Sequence, residues 1–194
     1  MKLLSTANSP YGRVVRLVAG ALGVELDVEI VRVRAQADAI LGYNPTAKVP
    51  SLVLDDGTVI GESRLICEHL QMISQQRCMS AVADVNGRHW ESLITGFMDG
   101  IAVWIREMRR PEHERSPAII ELEHQRAMRC VAHLEKNWVH DDLTITFASA
   151  TLASALTMLD LRVATDWRIE YTQLVQWYDT LNNTALMRAT APPA

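Results

Sequence analysis

Asn44-Pro45-Thr46-Ala47-Lys48-Val49-Pro50-Ser51-Leu52-Val53-Leu54-Asp55-Asp56-Gly57-Thr58-Val59-Ile60-Gly61-Glu62-Ser63 is the stretch that decides the fold. Ser51 to Leu54 and Thr58 to Ile60 are short apolar runs on either side of Asp55-Asp56-Gly57, and an Asp-Gly turn between such runs closes an antiparallel hairpin. Asn44-Pro45 ends whatever element precedes the loop. From Glu62 to Ser74 the apolar spacing lengthens to a helical period, with Leu65, Ile66, His69, Leu70 and Ile73 on one face.

Upstream of this hairpin, strand-like and helix-like stretches alternate. Lys2 to Ser5 is a short strand candidate, followed by the polar Thr6-Ala7-Asn8-Ser9. Pro10 suits a first helical turn and Ser9 suits the N-cap before it. Val14, Leu17, Val18, Ala21 and Leu22 then recur at helical spacing until Gly23. Glu25 to Arg32 alternates apolar Leu26, Val28 and Ile30 with acids, the pattern of a half-buried strand. Ala35 to Leu41 is a short helix. The order β-α-β-α-β-β-α fits about 75 residues and implies a mixed sheet with helices on both faces.

Downstream the pattern changes. Only helical periodicity follows, over roughly 81–110, 117–139, 147–163 and 169–185, and no good strand candidate lies beyond Ile60. Pro111 and Pro117 bracket one break and Asp141-Asp142 lies near the next. The chain therefore divides into an α/β domain over 1–75 and an all-helical domain over 81–194, with Ser74 to Ser80 as linker.

Composition narrows the function classes. The 194 residues are 48% hydrophobic, enough for a sizeable core, and carry a formal net charge of -4. That balance lacks the basic footprint of a nucleic-acid binder. No apolar run is long enough for a membrane span. Met1-Lys2-Leu3-Leu4-Ser5 is too short an apolar stretch for a signal peptide, so a soluble, cytoplasmic protein is expected. The three cysteines, Cys67, Cys78 and Cys130, form no C-x-x-C pair and are expected to be reduced thiols in buried or partly buried positions. No two histidines pair at i,i+4, so no metal site is expected.

Four pieces of sequence, in order, resemble the glutathione transferases over nearly the whole chain. Ser9-Pro10-Tyr11-Gly12-Arg13-Val14-Val15-Arg16 resembles the family's S-P-[YF]-x-R-K-V-R opening of the first helix. Asn44-Pro45-Thr46-Ala47-Lys48-Val49-Pro50 resembles its N-P-x-G-K-V-P loop, and Glu62-Ser63 with Ile66 its E-S-x-x-I start of the third helix. Asp160-Leu161-Arg162 resembles a stretch in the sixth helix of small bacterial members. The resemblance implies a thioredoxin-like N-terminal domain followed by a helical-bundle C-terminal domain, with glutathione as co-substrate.

It also implies roles for individual residues. A cis Val49-Pro50 bond would let the Val49 N–H and C=O pair with the cysteinyl backbone of glutathione, like one added strand residue. At the start of a helix Ser63 would bind the γ-glutamyl carboxylate and Glu62 the neighbouring ammonium; on their own these two residues would also serve as a plain helix cap. Lys48 would pair with the glycyl carboxylate, though a loop lysine is otherwise simply solvated. Ser9 matches the catalytic serine of the S-P-[YF] branch, a role compatible with N-capping. A backbone amide near Tyr11, or the hydroxyls of Ser5 and Thr6, are the alternatives. The absence of a cysteine in this turn argues against members that form mixed disulfides with glutathione. The pocket for a small electrophile is expected between the domains, lined by Tyr11, Phe97, Ile101, Trp104, Ile105 and Met108, whose spacing is also that of ordinary core.

Two positions depart from the family pattern. Ala47 stands where glycine is usual, so its turn must avoid a left-handed conformation or carry strain. In the family's S/T-x-x-D capping box, Thr146 is present but Ser149 replaces the reciprocal acid, at an expected cost of a few tenths to about 1 kcal/mol. The resemblance further implies a homodimer through Arg64 to Ile73 of one chain and Val82 to Met108 of the other. Conjugation of glutathione to an electrophile is the leading function, in a detoxification role. Glutathione-dependent isomerisation or peroxide reduction, and a non-catalytic glutathione- or partner-binding module, are the competing readings.

Overall fold

The computed structural model describes residues 1–32, 37–138, 142–163 and 165–193. The first part of the chain runs β1 (Lys2–Ser5), α1 (Pro10–Ala21), β2 (Asp27–Ile30), α2 (Ala37–Leu41), β3 (Ser51–Val53), β4 (Val59–Gly61) and α3 (Ser63–Ile73). The four strands form one mixed sheet in the order β2-β1-β3-β4. β1 and β2 pair in parallel, as the βαβ connection through α1 requires, while β3 is antiparallel to both β1 and β4. Adjacent residues of β1 face opposite sides. Leu3 joins the core made with α1 and α3, and Leu4 packs with Ile40 of α2 on the other face.

Local chemistry sets the element ends. Ser9 caps α1, its Oγ accepting the Gly12 N–H at 3.0 Å. Gly12 itself is required by close approach, because a Cβ there would lie 2.0 Å from Ser5 Oγ. β2 is shorter and more exposed than its alternation suggests, since it is the edge strand and Ile30 faces outward. In α3, Ile66, Cys67 and Leu70 are buried, whereas Leu65 and Ile73, expected on the same face, are exposed with Met72. The expected start of α2 at Ala35 lies outside the described residues.

The rest is helical: α4 (Val85–Met108), α5 (Pro117–Asn137), α6 (Phe147–Arg162), α7 (Trp167–Glu170), α8 (Thr172–Asn182) and α9 (Ala185–Ala189), with a 3-10 turn at Glu112–Glu114. No strand follows β4 among the described residues. α4 starts later than the periodicity suggests, where Asp84 accepts the Gly87 N–H at 2.9 Å. The single helix expected over 169–185 is instead split among α7, α8 and α9. Tyr171, at φ -113° and ψ 66°, separates the first two, and Thr184 recaps the chain before the third.

α6 is the central helix, buried from Phe147 through Thr157 and packed between α4 and α1. One continuous core therefore runs from the sheet region into the helical region. The capping box at its start is intact in geometry. Ser149 Oγ accepts the Thr146 N–H at 2.8 Å, and Thr146 Oγ1 accepts the Ser149 N–H at 3.1 Å. Only the charge of the expected acid is missing. No helix among the described residues is long and apolar enough to cross a membrane.

Candidate functional site

A cavity of about 740 Å3 opens where the N-terminal α/β unit meets the helical region. Ser9, Lys48, Val49, Glu62 and Ser63, scattered over the first third of the chain, all line it. The sheet brings them together. Strands β1 and β3 are neighbours, so the loop after β1, the loop before β3 and the start of α3 converge at one end of the sheet.

The loop before β3 is held by Asn44. Its side-chain amide donates to Lys48 O at 3.2 Å and Ser51 Oγ at 3.0 Å, and its Oδ1 accepts from the Thr46 N–H at 3.0 Å. The sequence shows Asn44 only as a break before proline; its knitting of the loop is a three-dimensional property. Ala47 adopts φ 53°, so the left-handed turn that favours glycine is kept and strained. Val49-Pro50 is cis. Among the described residues neither the N–H nor the C=O of Val49 has a protein partner.

At the start of α3, Glu62 has φ 62°, a second left-handed non-glycine residue. Such backbone collects at ligand clamps, where the surrounding fold holds it. Glu62 is exposed at the cavity, and Ser63 is nearly buried as the first helical residue. No protein group accepts from the Ser63 N–H or bonds its hydroxyl among the described residues. Free N–H groups and a free hydroxyl at a helix N-terminus suit a carboxylate.

At the first turn of α1, Ser9 Oγ accepts one bond from Gly12 and its own proton has no protein acceptor among the described residues. A hydroxyl can accept and donate at once, so capping leaves its donor free. The Tyr11 N–H is likewise unclaimed by protein. Thr6 lines the cavity. Ser5 does not: it is buried, with its Oγ donating to Thr6 O at 3.2 Å. Tyr11 turns toward the helical region and donates to Asp99 Oδ1 at 2.5 Å. Burial, and then this bond to Asp99, push its pKa well up. Burial also raises the thiols of Cys67, Cys78 and Cys130, and none of them lines the cavity.

Of the residues expected around an electrophile, Tyr11 and Ile105 line the cavity. Phe97, Ile101 and Trp104 do not; they are buried in the core, and Met108 packs against it. The wall given by α4 is its neighbouring face, Asp99, Ala102, Val103 and Arg106. The apolar stripe of an amphipathic helix belongs to the core, and the cleft takes what is left. The signal that could have found this wall is therefore the polar-and-small set at i, i+3, i+4 and i+7. α6 and the C-terminal segment complete the wall with Ser154, Thr157, Met158, Arg162 and Pro192. Among the described residues no group of three His, Cys, Asp or Glu could hold a metal ion.

Residues 3–77 match the family model of the glutathione S-transferase N-terminal domain. This part of the chain is a glutathione S-transferase N-terminal domain. Over its full length it is similar to a glutathione S-transferase of Methylobacillus flagellatus with glutathione bound, at 29% identity, TM-score 0.88 and 99% coverage of both chains. A glutathione transferase family member of Pseudomonas fluorescens Pf-5, also with bound glutathione, is 26% identical at TM-score 0.88, covering 100% of this chain and 99% of that one. The uncharacterized GST-like protein YibF of Escherichia coli (strain K12) is 27% identical over 201 residues, covering 100% of this chain and 99% of that protein. The four-stranded sheet with its helices is thus a thioredoxin-like glutathione S-transferase N-terminal domain, followed by a helical region that matches those structures.

Proposed function

We propose that this protein binds glutathione in the cavity and activates its thiol for attack on a small electrophile. The observation that carries this reading is the convergence of Ser9, Lys48, Val49, Glu62 and Ser63 on one cavity. Ser63 and the start of α3 bind the γ-glutamyl carboxylate, and Glu62 binds the ammonium beside it. The unclaimed backbone groups of Val49 pair with the cysteinyl residue, and Lys48 meets the glycyl carboxylate. This pose sets the sulfur beside the first turn of α1.

A free thiol has a pKa near 8.5, so roughly 3% is ionised at pH 7. Lowering it by ~2 units takes about 2.7 kcal/mol of preferential anion stabilisation. One hydrogen bond to a charged group supplies roughly 1.5–3 kcal/mol, and the start of α1 adds about 0.3–1 kcal/mol. The free Ser9 proton is the donor. No separate base is needed, because the site only has to hold the thiolate ready.

The exposed apolar side chains Leu65, Met72 and Ile73 of α3, with Val85 at the start of α4 and Val82 just before it, supply an interface for a homodimer. The same reading makes the protein a cytoplasmic detoxification enzyme. Retention on immobilised glutathione, followed by conjugation assays with a chlorinated nitroaromatic and with unsaturated carbonyl compounds, tests it. Retention with conjugate formed is expected. Retention without turnover on any electrophile would instead favour a binding module, and failure to be retained would overturn the glutathione site.

A further inference from the structure

The helical wall of the cavity is cationic, although the whole chain carries a net charge of -4. Arg106 reaches the cavity from the last turn of α4, Arg109 from the residue just after it, and Arg162 from the last residue of α6. Arg106 Nε donates to Ala102 O at 3.1 Å, and Arg162 donates to Asn8 Oδ1 and Pro193 O, each at 3.3 Å. None of the three pairs with a carboxylate among the described residues. The acid on the same wall, Asp99, is already engaged by the Tyr11 hydroxyl.

Behind this wall sits Arg13, only 5% exposed and also lining the cavity. Its guanidinium donates to Thr157 Oγ1 at 2.7 Å and Met187 O at 3.2 Å, both neutral acceptors, and its Nε has no partner. A buried charge without a counter-charge is costly, and an anion nearby offsets that cost. Ser154 adds a buried hydroxyl on the same floor that has no protein partner. The apolar part of the lining is aliphatic, and Tyr11 is the one aromatic side chain among the cavity's described residues. A flat aromatic acceptor would find little to stack on. A concave, cationic surface with unspent donors attracts an oxyanion.

We infer that the acceptor side of the cavity takes a small carboxylate-bearing compound, its carboxylate seated against Arg106 and Arg162 with the Arg13 charge beneath. The inference rests on the glutathione reading above, which places both glutathione carboxylates on the opposite wall, at Lys48 and Ser63. The arginines of the helical wall then remain for the acceptor. Arg106 and Glu62 both act electrostatically on the Tyr11 hydroxyl, so the two walls meet at that side chain.

Calorimetry with three ligands tests this: glutathione, its S-(3-carboxypropyl) conjugate and the matching S-(3-carbamoylpropyl) conjugate, which differ at the acceptor end by one charge. The acid conjugate should bind about tenfold or more tightly than the amide at low ionic strength, the worth of a charge-assisted contact. That preference should shrink as salt is added, and also in Arg106→Gln and Arg162→Gln. Equal affinity for the two conjugates, tighter binding of the amide, or variants that weaken both conjugates by the same factor would overturn the inference while leaving glutathione binding intact. Failure of glutathione itself to bind would overturn the underlying reading and this inference together.

Discussion

The Tyr11 hydroxyl donates to Asp99 Oδ1 at 2.5 Å, pinning the first turn of α1 to the cleft face of α4. The bond spans the junction between the α/β unit and the helical region. It also satisfies one oxygen of an acid that lines the cavity. Tyr11→Phe should cost about 1 kcal/mol at neutral pH, read from the urea midpoint. Burial and the Asp99 bond hold the Tyr11 pKa above the usual value of about 10. The neutral hydroxyl is therefore favoured in the folded state. Its contribution to stability is complete below pH ~10 and is lost as pH rises from there toward the folded-state pKa. Above pH ~10 the wild type should lose stability more steeply than Tyr11→Phe, by up to about 1.4 kcal/mol per pH unit. Parallel slopes in the two proteins would contradict this.

Glu91 ties the same two parts together at a second point. It is 1% exposed, accepts from Arg64 at 2.6 Å and from the Ser80 N–H at 2.7 Å, and so joins α3, the connecting segment and α4. Removing one partner of a buried ion pair leaves the other charge uncompensated. Arg64 is partly exposed and also meets Glu68 at 3.1 Å, which softens the loss. Glu91→Ala should lower stability by about 3 kcal/mol in chemical denaturation. A loss under about 1 kcal/mol would show that the pair and the Ser80 bond are both replaceable by water.

The parts of the fold governed by local chemistry were legible in the sequence. Ser9-Pro10 fixed where α1 starts, and Asp56-Gly57 fixed the hairpin, because each residue has few backbone options there. The residues expected to face glutathione were picked out by their family pattern, and the fold brings them to one cavity. Two features were not. Continuous helical spacing over 169–185 hid the break at Tyr171, since the buried Trp167, Trp177 and Tyr178 decide it through tertiary packing. On α4, Phe97, Ile101 and Trp104 were expected at the cleft although their spacing is that of ordinary core, and they are buried. The packing of α6 on α4 takes that apolar stripe into the core, and the polar-and-small face beside it is left for the cleft.

Ala47 at φ 53° offers a test of strain next to the site. A left-handed alanine costs roughly 1–2 kcal/mol relative to its preferred regions. Glycine removes that cost but enlarges the entropy of the unfolded chain by an opposing ~0.4–1 kcal/mol. Ala47→Gly should therefore be neutral to stabilising by about 1 kcal/mol in thermal or urea unfolding. A destabilisation would mean that the Ala47 methyl makes contacts worth more than the strain.

Met72 is 82% exposed on α3, beside exposed Leu65 and Ile73. If this face is the dimer interface, sedimentation at micromolar concentration should give a two-chain particle. Met72→Asp with Ile73→Asp should give a folded monomer, because a carboxylate in an apolar interface is strongly disfavoured. A wild-type monomer would remove the interface.

Ser9 and Ser63 should separate kinetically. In the proposed pose Ser63 would contact a part of glutathione remote from the sulfur, so its bond would be equal in ground and transition states. Ser63→Ala should mainly raise the KM for glutathione. In the same pose Ser9 would face the charge that develops on sulfur. Ser9→Ala should lower kcat where chemistry is limiting and raise the pKa of bound glutathione by ~1–2 units, since the lost bond is worth roughly 1.5–3 kcal/mol. The same substitution removes the cap that accepts the Gly12 N–H, costing about 1 kcal/mol of stability. Denaturation measures that loss separately, and it leaves the thiol titration as the readout of the donor role. Titrating the thiolate absorbance of bound glutathione in both variants decides the matter. A raised pKa in Ser9→Ala alone assigns the thiolate to Ser9. An unchanged pKa in Ser9→Ala would transfer the role to the free Tyr11 N–H or to Thr6, the other donor groups of this turn that border the cavity.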